Sequence, residues 1–130
     1  MDALAAQAGS PTPERMLLLG PEDLLGRARE PLAPGVDHEV LWRRGDDRSG
    51  LMWVEGGAVI PEHRHDEAEH HIWVLEGRAR VAGRTLDHPA YCHVPAGVTH
   101  EVQGVAPAGC TVLYLYLGTT ERGEVTATTT

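Results

Sequence analysis

The sequence predicts an all-β fold, a small barrel or sandwich. From residue 38 onward it consists of strand-sized runs, several of which alternate apolar with polar residues. Gly-rich and Asp-rich turns interrupt them about every eight to ten residues, which favours a sandwich or barrel over a βαβ fold. A chain of 130 residues suits one domain with a core of its own.

Taken in order, the elements justify that reading. Residues 1–12 are small and polar and run into Gly-Ser-Pro-Thr-Pro, the composition of a mobile arm. Between residues 13 and 30, Leu17 to Leu19 and Leu24-Leu25 supply apolar positions for one or two short helical turns. Gly20-Pro21 breaks the run, and Glu22-Asp23 suit a new helix start. Pro31, Pro34 and Gly35 then separate an N-terminal arm (1–35) from a barrel (36–118). His38 to Arg43 reads as the first strand, and Arg44-Gly45-Asp46-Asp47 as a turn. Leu51 to Glu55 and Val59 to His65 flank a Gly56-Gly57 turn. After the acidic loop Asp66 to Glu69 comes His70 to Leu75, a Glu76-Gly77 turn, and Arg78 to Val81. Ala82-Gly83 turns into Arg84 to Leu86, and Tyr91 to Val94, His100 to Val102 and Thr111 to Leu117 complete the set. Tyr114 and Tyr116 share one face of the last strand. Residues 119–130 end in Thr-Ala-Thr-Thr-Thr and read as a disordered tail.

Composition narrows the function classes. The net charge is −8 and there is no Lys, which excludes the basic surfaces that nucleic acids and anionic membranes require. The lack of Lys also excludes a Schiff-base mechanism. Cys92 and Cys110 are the two cysteines; they read as free thiols of a reduced, cytoplasmic protein. No apolar run approaches about 18 residues, and the N-terminus lacks the basic start and apolar core of a signal peptide.

Two segments carry chemistry. His63 and His65 are two apart, so on a strand they share a face. His70 begins the next strand, and His100 follows the tight Pro95-Ala96-Gly97 turn. Neutral imidazole is the commonest metal ligand, and His63, His65, His70 and His100 together form a candidate metal site across neighbouring strands. Glu69 is the competing donor at the third position. A one-residue slip decides between them: His70 inward brings Ile72 and Val74 with it, whereas Glu69 inward brings His71, Trp73 and Leu75. Small β-branched neighbours favour His70, and His71 then falls on the opposite face as a surface residue.

Gly57, His63, His65 and Gly77 fit the first motif of the cupin superfamily, and Pro95, Gly97 and His100 fit its second. Over residues 40–118 the chain resembles that superfamily. It departs from the pattern where His70 replaces the usual glutamate ligand, and where Pro89 and Gly104 replace the opening Gly and closing Asn of the second motif. The resemblance implies a double-stranded β-helix, the jelly-roll cupin barrel, with a short N-terminal arm and one ligand-sized cavity. One divalent transition metal per chain is expected, among Fe, Zn, Ni, Cu and Mn, because imidazole suits these while Mg and Ca prefer oxygen.

Such an ion, held by four protein donors, keeps positions for a small organic molecule, with a dioxygenase-type oxidation the leading expectation. Two alternatives remain open. One is a non-redox isomerase or cyclase built on zinc as Lewis acid. The other is a non-catalytic zinc sensor, since residues 63–117 are similar to the cupin domains of zinc-dependent anti-sigma factors of the ChrR type. A small-molecule ligand is the expected partner, with no nucleic acid and no membrane. Cupins of one domain often pair through sheet edges, so a homodimer is expected.

Overall fold

Strands account for nearly all regular structure, and they follow the predicted turns. The computed structural model describes residues 16–26, 28–63 and 68–118, with the backbone alone at Leu25 and at residues 61–63. The expected mobile arm, Asp66 and Glu67 of the acidic loop, and the tail lie outside the described residues. Helix α1 (Pro21–Leu25) starts where Gly20-Pro21 predicted: proline occupies the first turn, where no backbone donor is needed, and the Gly20 N–H donates to Asp23 Oδ2 at 2.8 Å. The strands are β1 (Glu30–Ala33), β2 (Val36–Arg44), β3 (Asp47–Val54), β4 (Val59–His63), β5 (Ala68–Val81), β6 (Arg84–Asp87), β7 (Ala90–Val94), β8 (His100–Gly104) and β9 (Cys110–Gly118). No described helix is long and apolar enough to cross a membrane.

All pairings are antiparallel, in the order β1-β2-β3-β9-β5-β8-β4, with β6 and β7 also on β5. The sheet curls into a nearly closed barrel, a double-stranded β-helix of the cupin type. Two elements differ from expectation. The Pro-rich stretch read as a separator contains a strand of its own, β1, which pairs with β2 from Glu30↔His38 to Ala33↔Val36. Proline is tolerated there because β1 is an edge and needs few donors. The second difference is at Glu76-Gly77, which does not end a strand. β5 runs unbroken for 14 residues, with an irregularity between Val74 and Glu76. Gly77 takes φ +76 there, and a Cβ on it would stand 2.0 Å from the Gly109 carbonyl oxygen. The strand thus bends instead of stopping: its first part pairs with β9 and β7, and its last residues with β6 and β8.

That bend makes β5 a wall common to both layers. The interior is filled mainly by short β-branched side chains: Val36, Val54, Val74 and Val112 are the largest of those sealed off from solvent. Each contributes about 1.5–3 kcal/mol by leaving water. Ile60, Ile72, Val81, Val94 and Val102 extend the same core, with Tyr114 and Tyr116 of β9 pointing into it as a pair. At one end the buried Asp47 carboxylate accepts the Gly118 N–H at 2.8 Å, tying the start of β3 to the end of β9. Cys110 is buried and Cys92 half-buried, both as free thiols; burial pushes the Cys110 thiol up to about 11 and raises Cys92 as well.

Candidate metal centre

The alternation of β5 sorts its first residues onto two faces. His70, Ile72 and Val74 are buried and face the interior, while Glu69, His71 and Trp73 stand on the outer side. His70 is 3% exposed and His100, from β8, 6%. Their imidazoles meet edge to face, with His70 Nδ1 at 3.2 Å from His100 Nε2. On its far side His100 Nδ1–H donates to the Val98 carbonyl at 3.4 Å, in the turn that carries Pro95 and Gly97. That bond assigns the proton to Nδ1 and makes Nε2 the lone-pair nitrogen, the tautomer a ligand needs. Tyr116 stacks flat on His70, ring centres 3.7 Å apart and planes within 3°, which fixes the plane of the imidazole.

The β4 backbone sets His63 directly opposite His100 in the ladder. Its side chain, and all of His65, lie outside the described residues. Of the four sequence candidates, the fold therefore brings His70 and His100 together and seats His63 on the strand beside them. The donor set fits a divalent transition ion: ligands about 2.1 Å from one centre, at tetrahedral or octahedral angles, lie about 3.0–3.4 Å apart, and the His70–His100 pair is at 3.2 Å.

A small internal cavity of about 20 Å³ touches both histidines, enough for one water-sized occupant. Met52, Ile60, Tyr114 and Tyr116 line it and also line a larger cavity of about 520 Å³ at the barrel mouth. The mouth is apolar except for His38, Arg43, Arg48 and the tyrosines. Arg48 lies over the Tyr116 ring, its Cζ 4.5 Å from the ring centre. Burial raises both tyrosines above the ordinary phenol range, against the opposing pull of Arg48, so each keeps its proton at neutral pH. Two cations and two phenol hydroxyls therefore face the approach to the histidine pair. Neither arginine stood out in the sequence, because nothing in the β2–β3 turn signals that its flanking side chains reach the mouth.

The outer face of β5 holds a second group. Glu69 is 8% exposed, and its Oε1 lies 2.7 Å from His93 Nε2 and 3.2 Å from His71 Nε2. His71 Nδ1 is 2.5 Å from the Tyr91 hydroxyl. His71 is thus not an isolated surface residue. The partner is His93, which β7 places directly opposite it. The sequence holds one signal for this pairing, the alternation Tyr91-Cys92-His93, but not which strand it would lie against.

Comparison with known proteins agrees with this architecture. Residues 28–120 match the ChrR cupin-like domain family. Among solved structures, KdgF from Halomonas sp. is similar at 18% identity over 74% of this chain and 92% of that one, with a TM-score of 0.65. A chain of the complex between SigE and the anti-sigma ChrR of Rhodobacter sphaeroides is 23% identical over 72% of this chain, with a TM-score of 0.62; the match spans 54% of that chain. The polyketide cyclase RemF of Streptomyces resistomycificus is 22% identical, covering 79% of this chain and 80% of that one, with a TM-score of 0.64. At these identities the likeness is one of fold. No curated protein matches by sequence.

Proposed function

The chain belongs to the ChrR cupin-like family, and from that premise we propose that it is a metal-dependent enzyme acting on a small anionic organic molecule. His63, His65, His70 and His100 would hold one divalent ion, and the substrate would enter through the arginine-lined mouth. The observation that supports this reading best is the buried His70–His100 pair on a small internal cavity that shares Met52, Ile60, Tyr114 and Tyr116 with the larger cavity presenting Arg43 and Arg48. Neutral imidazoles leave a divalent ion its full charge, and such an ion supplies Lewis acidity to an oxygen-donor ligand and, if it is iron, electrons to dioxygen.

The protein's own groups do the remainder. Arg43 and Arg48 attract a substrate that is an enolate or carboxylate, since a guanidinium pairs bidentately with such oxygens. The protonated Tyr114 and Tyr116 hydroxyls donate to its oxygens, and Tyr116 keeps His70 in the ligating orientation. Val102, Val112 and Ile72 keep bulk water from the floor of the site. The leading reaction is a dioxygenation, in which both oxygen atoms enter the organic product and no external reductant is consumed. The non-redox alternative, cyclisation or isomerisation through a stabilised enolate, draws on the likeness to a protein described as a polyketide cyclase.

The test is reconstitution of chelator-treated protein with Fe(II) or Zn(II), followed by a screen of β-diketones, catechols and 2-oxo acids with an oxygen electrode and product analysis. Oxygen uptake with iron that disappears in His100→Ala supports dioxygenation. Turnover with zinc and no oxygen uptake replaces it with the non-redox reaction. Absence of metal at His70 and His100, seen as identical metal content in wild type and in His70→Ala/His100→Ala, overturns the whole reading and leaves a binding barrel.

A further inference from the structure

We propose that Glu69, His71 and His93 form a second metal site, on the outer face of the barrel, that takes zinc through two imidazole nitrogens and one carboxylate oxygen. It is separate from the interior centre. Glu69 and His71 flank His70 in the chain, yet they point to the opposite side of β5.

Three observations converge on it. The first is the donor geometry: one ligand atom from each residue lies within 4.8 Å of the others, and both Nε2 atoms face the same carboxylate oxygen. Only small side-chain rotations separate this arrangement from one with each atom about 2.0–2.2 Å from a shared ion. The second is charge. Glu69 is 8% exposed, and a buried carboxylate is costly unless a cation neutralises it. The chain has no Lys, and among the described residues Glu69 is ion-paired with these two histidines, which are charged only when protonated. A zinc ion supplies that charge with both imidazoles neutral.

The third observation is orientation. A ligating imidazole needs its other nitrogen to donate, and His71 Nδ1 lies 2.5 Å from the Tyr91 hydroxyl, whose oxygen can accept its proton once Nε2 binds an ion. This bond aims Nε2 at Glu69, and Trp73 and Tyr91 both flank the His71 ring, with centres 6.0 and 5.9 Å away. The side chains of His71 and His93 are 21% and 32% exposed, so an ion reaches them from solvent without opening the barrel. Two imidazoles and one carboxylate form the donor set of open zinc sites, which keep a fourth position for water or a substrate oxygen. Zinc is favoured over magnesium and calcium because two of the three donors are nitrogen.

The experiment is a zinc titration of chelator-treated full-length protein against a chromophoric competitor, with Co(II) as a spectroscopic substitute. Wild type is compared with Glu69→Gln, His93→Ala and His100→Ala, and circular dichroism checks that each is folded. Glu69→Gln keeps the shape and hydrogen-bonding oxygen of the side chain, so it separates ligand loss from misfolding. We expect the outer site to lose at least about tenfold in zinc affinity in Glu69→Gln and to vanish in His93→Ala. His100→Ala should retain it, together with its tetrahedral Co(II) absorption. Loss of zinc in His93→Ala but not in His100→Ala supports the outer site even if the interior one fails. Identical stoichiometry and affinity in wild type, Glu69→Gln and His93→Ala overturns it.

Discussion

Replacing Gly77 by Ala should destabilise the barrel far more than replacing Gly97 by Ala, although both glycines belong to the motifs and both have positive φ. Gly77 sits at +76° and Gly97 at +84°, so a methyl group meets a comparable backbone penalty at either position, about 1–2 kcal/mol. The surroundings differ. At Gly97 an added Cβ meets nothing within 4 Å. At Gly77 it lands 2.0 Å from the Gly109 oxygen and 3.0 Å from the Cys110 Cα, both backbone atoms that no rotamer change can clear. Strand β9 must then move off β5, an overpacking cost of about 1–3 kcal/mol more. The totals are about 1–2 kcal/mol for Gly97→Ala and about 2–5 kcal/mol for Gly77→Ala. At about 4 °C per kcal/mol, these correspond to losses of about 4–8 °C and about 8–20 °C in Tm. The assay is thermal unfolding followed by circular dichroism in the presence of a chelator, because Gly97 lies close to His100 and bound metal would add its own stabilisation. Equal losses, or a larger one at Gly97, would refute the claim that close approach of β5 and β9, and not φ alone, requires glycine at position 77.

Two further outcomes can be checked on the same material. The Cys110 thiol, pushed up to about 11 in the folded chain from an ordinary value of 9.0, should make the barrel less stable as pH rises through that interval. The unfolded chain loses its proton first, so stability falls with pH by about 1.4 kcal/mol per unit for this group; urea unfolding at pH 8 and 10 should show the decrease, and Cys110→Ala should reduce it. Replacing Arg48 by Gln should weaken an acetylacetonate-type or dicarboxylate probe about tenfold by calorimetry, through loss of a charge-assisted bond. Unchanged affinity would place the ligand away from the mouth.

The strands were legible because their signal is local. Alternation and turn residues located β2, β3 and β6 to β9 to within a few residues, and Ala82-Gly83 forms the tight hairpin that its small residues predict, both with positive φ. β1 was hidden by Pro31 and Pro34, which argue against a central strand but not against an edge. The continuity of β5 was hidden because Glu76-Gly77 has the composition of a turn. Whether such a pair ends a strand or bends it depends on the Gly109 carbonyl packed against it, from a segment far along the chain. The inward position of His70 beside Ile72 and Val74 was legible from alternation together with the small β-branched side chains that share its face. The outer group did not: His71 and His93 are 22 positions apart, and only the pairing of β5 with β7 makes them neighbours. Arg43 and Arg48 were illegible for the same reason, since convergence on a cavity is a property of tertiary closure.

Strand β1 has a consequence for how the barrel exchanges its contents. It pairs with β2 only, two of its four positions are mostly solvent-facing apolar or proline residues, and its Leu32 and Ala33 form part of the rim of the mouth. Few buried contacts and few ladder donors make such a segment less costly to detach than the strands of the core. The valine core lies on other strands, so detaching this one would leave it covered. Access to the chamber and survival of the fold therefore draw on different free energies, and substitutions along the rim can retune the size of admitted molecules without a toll on the scaffold.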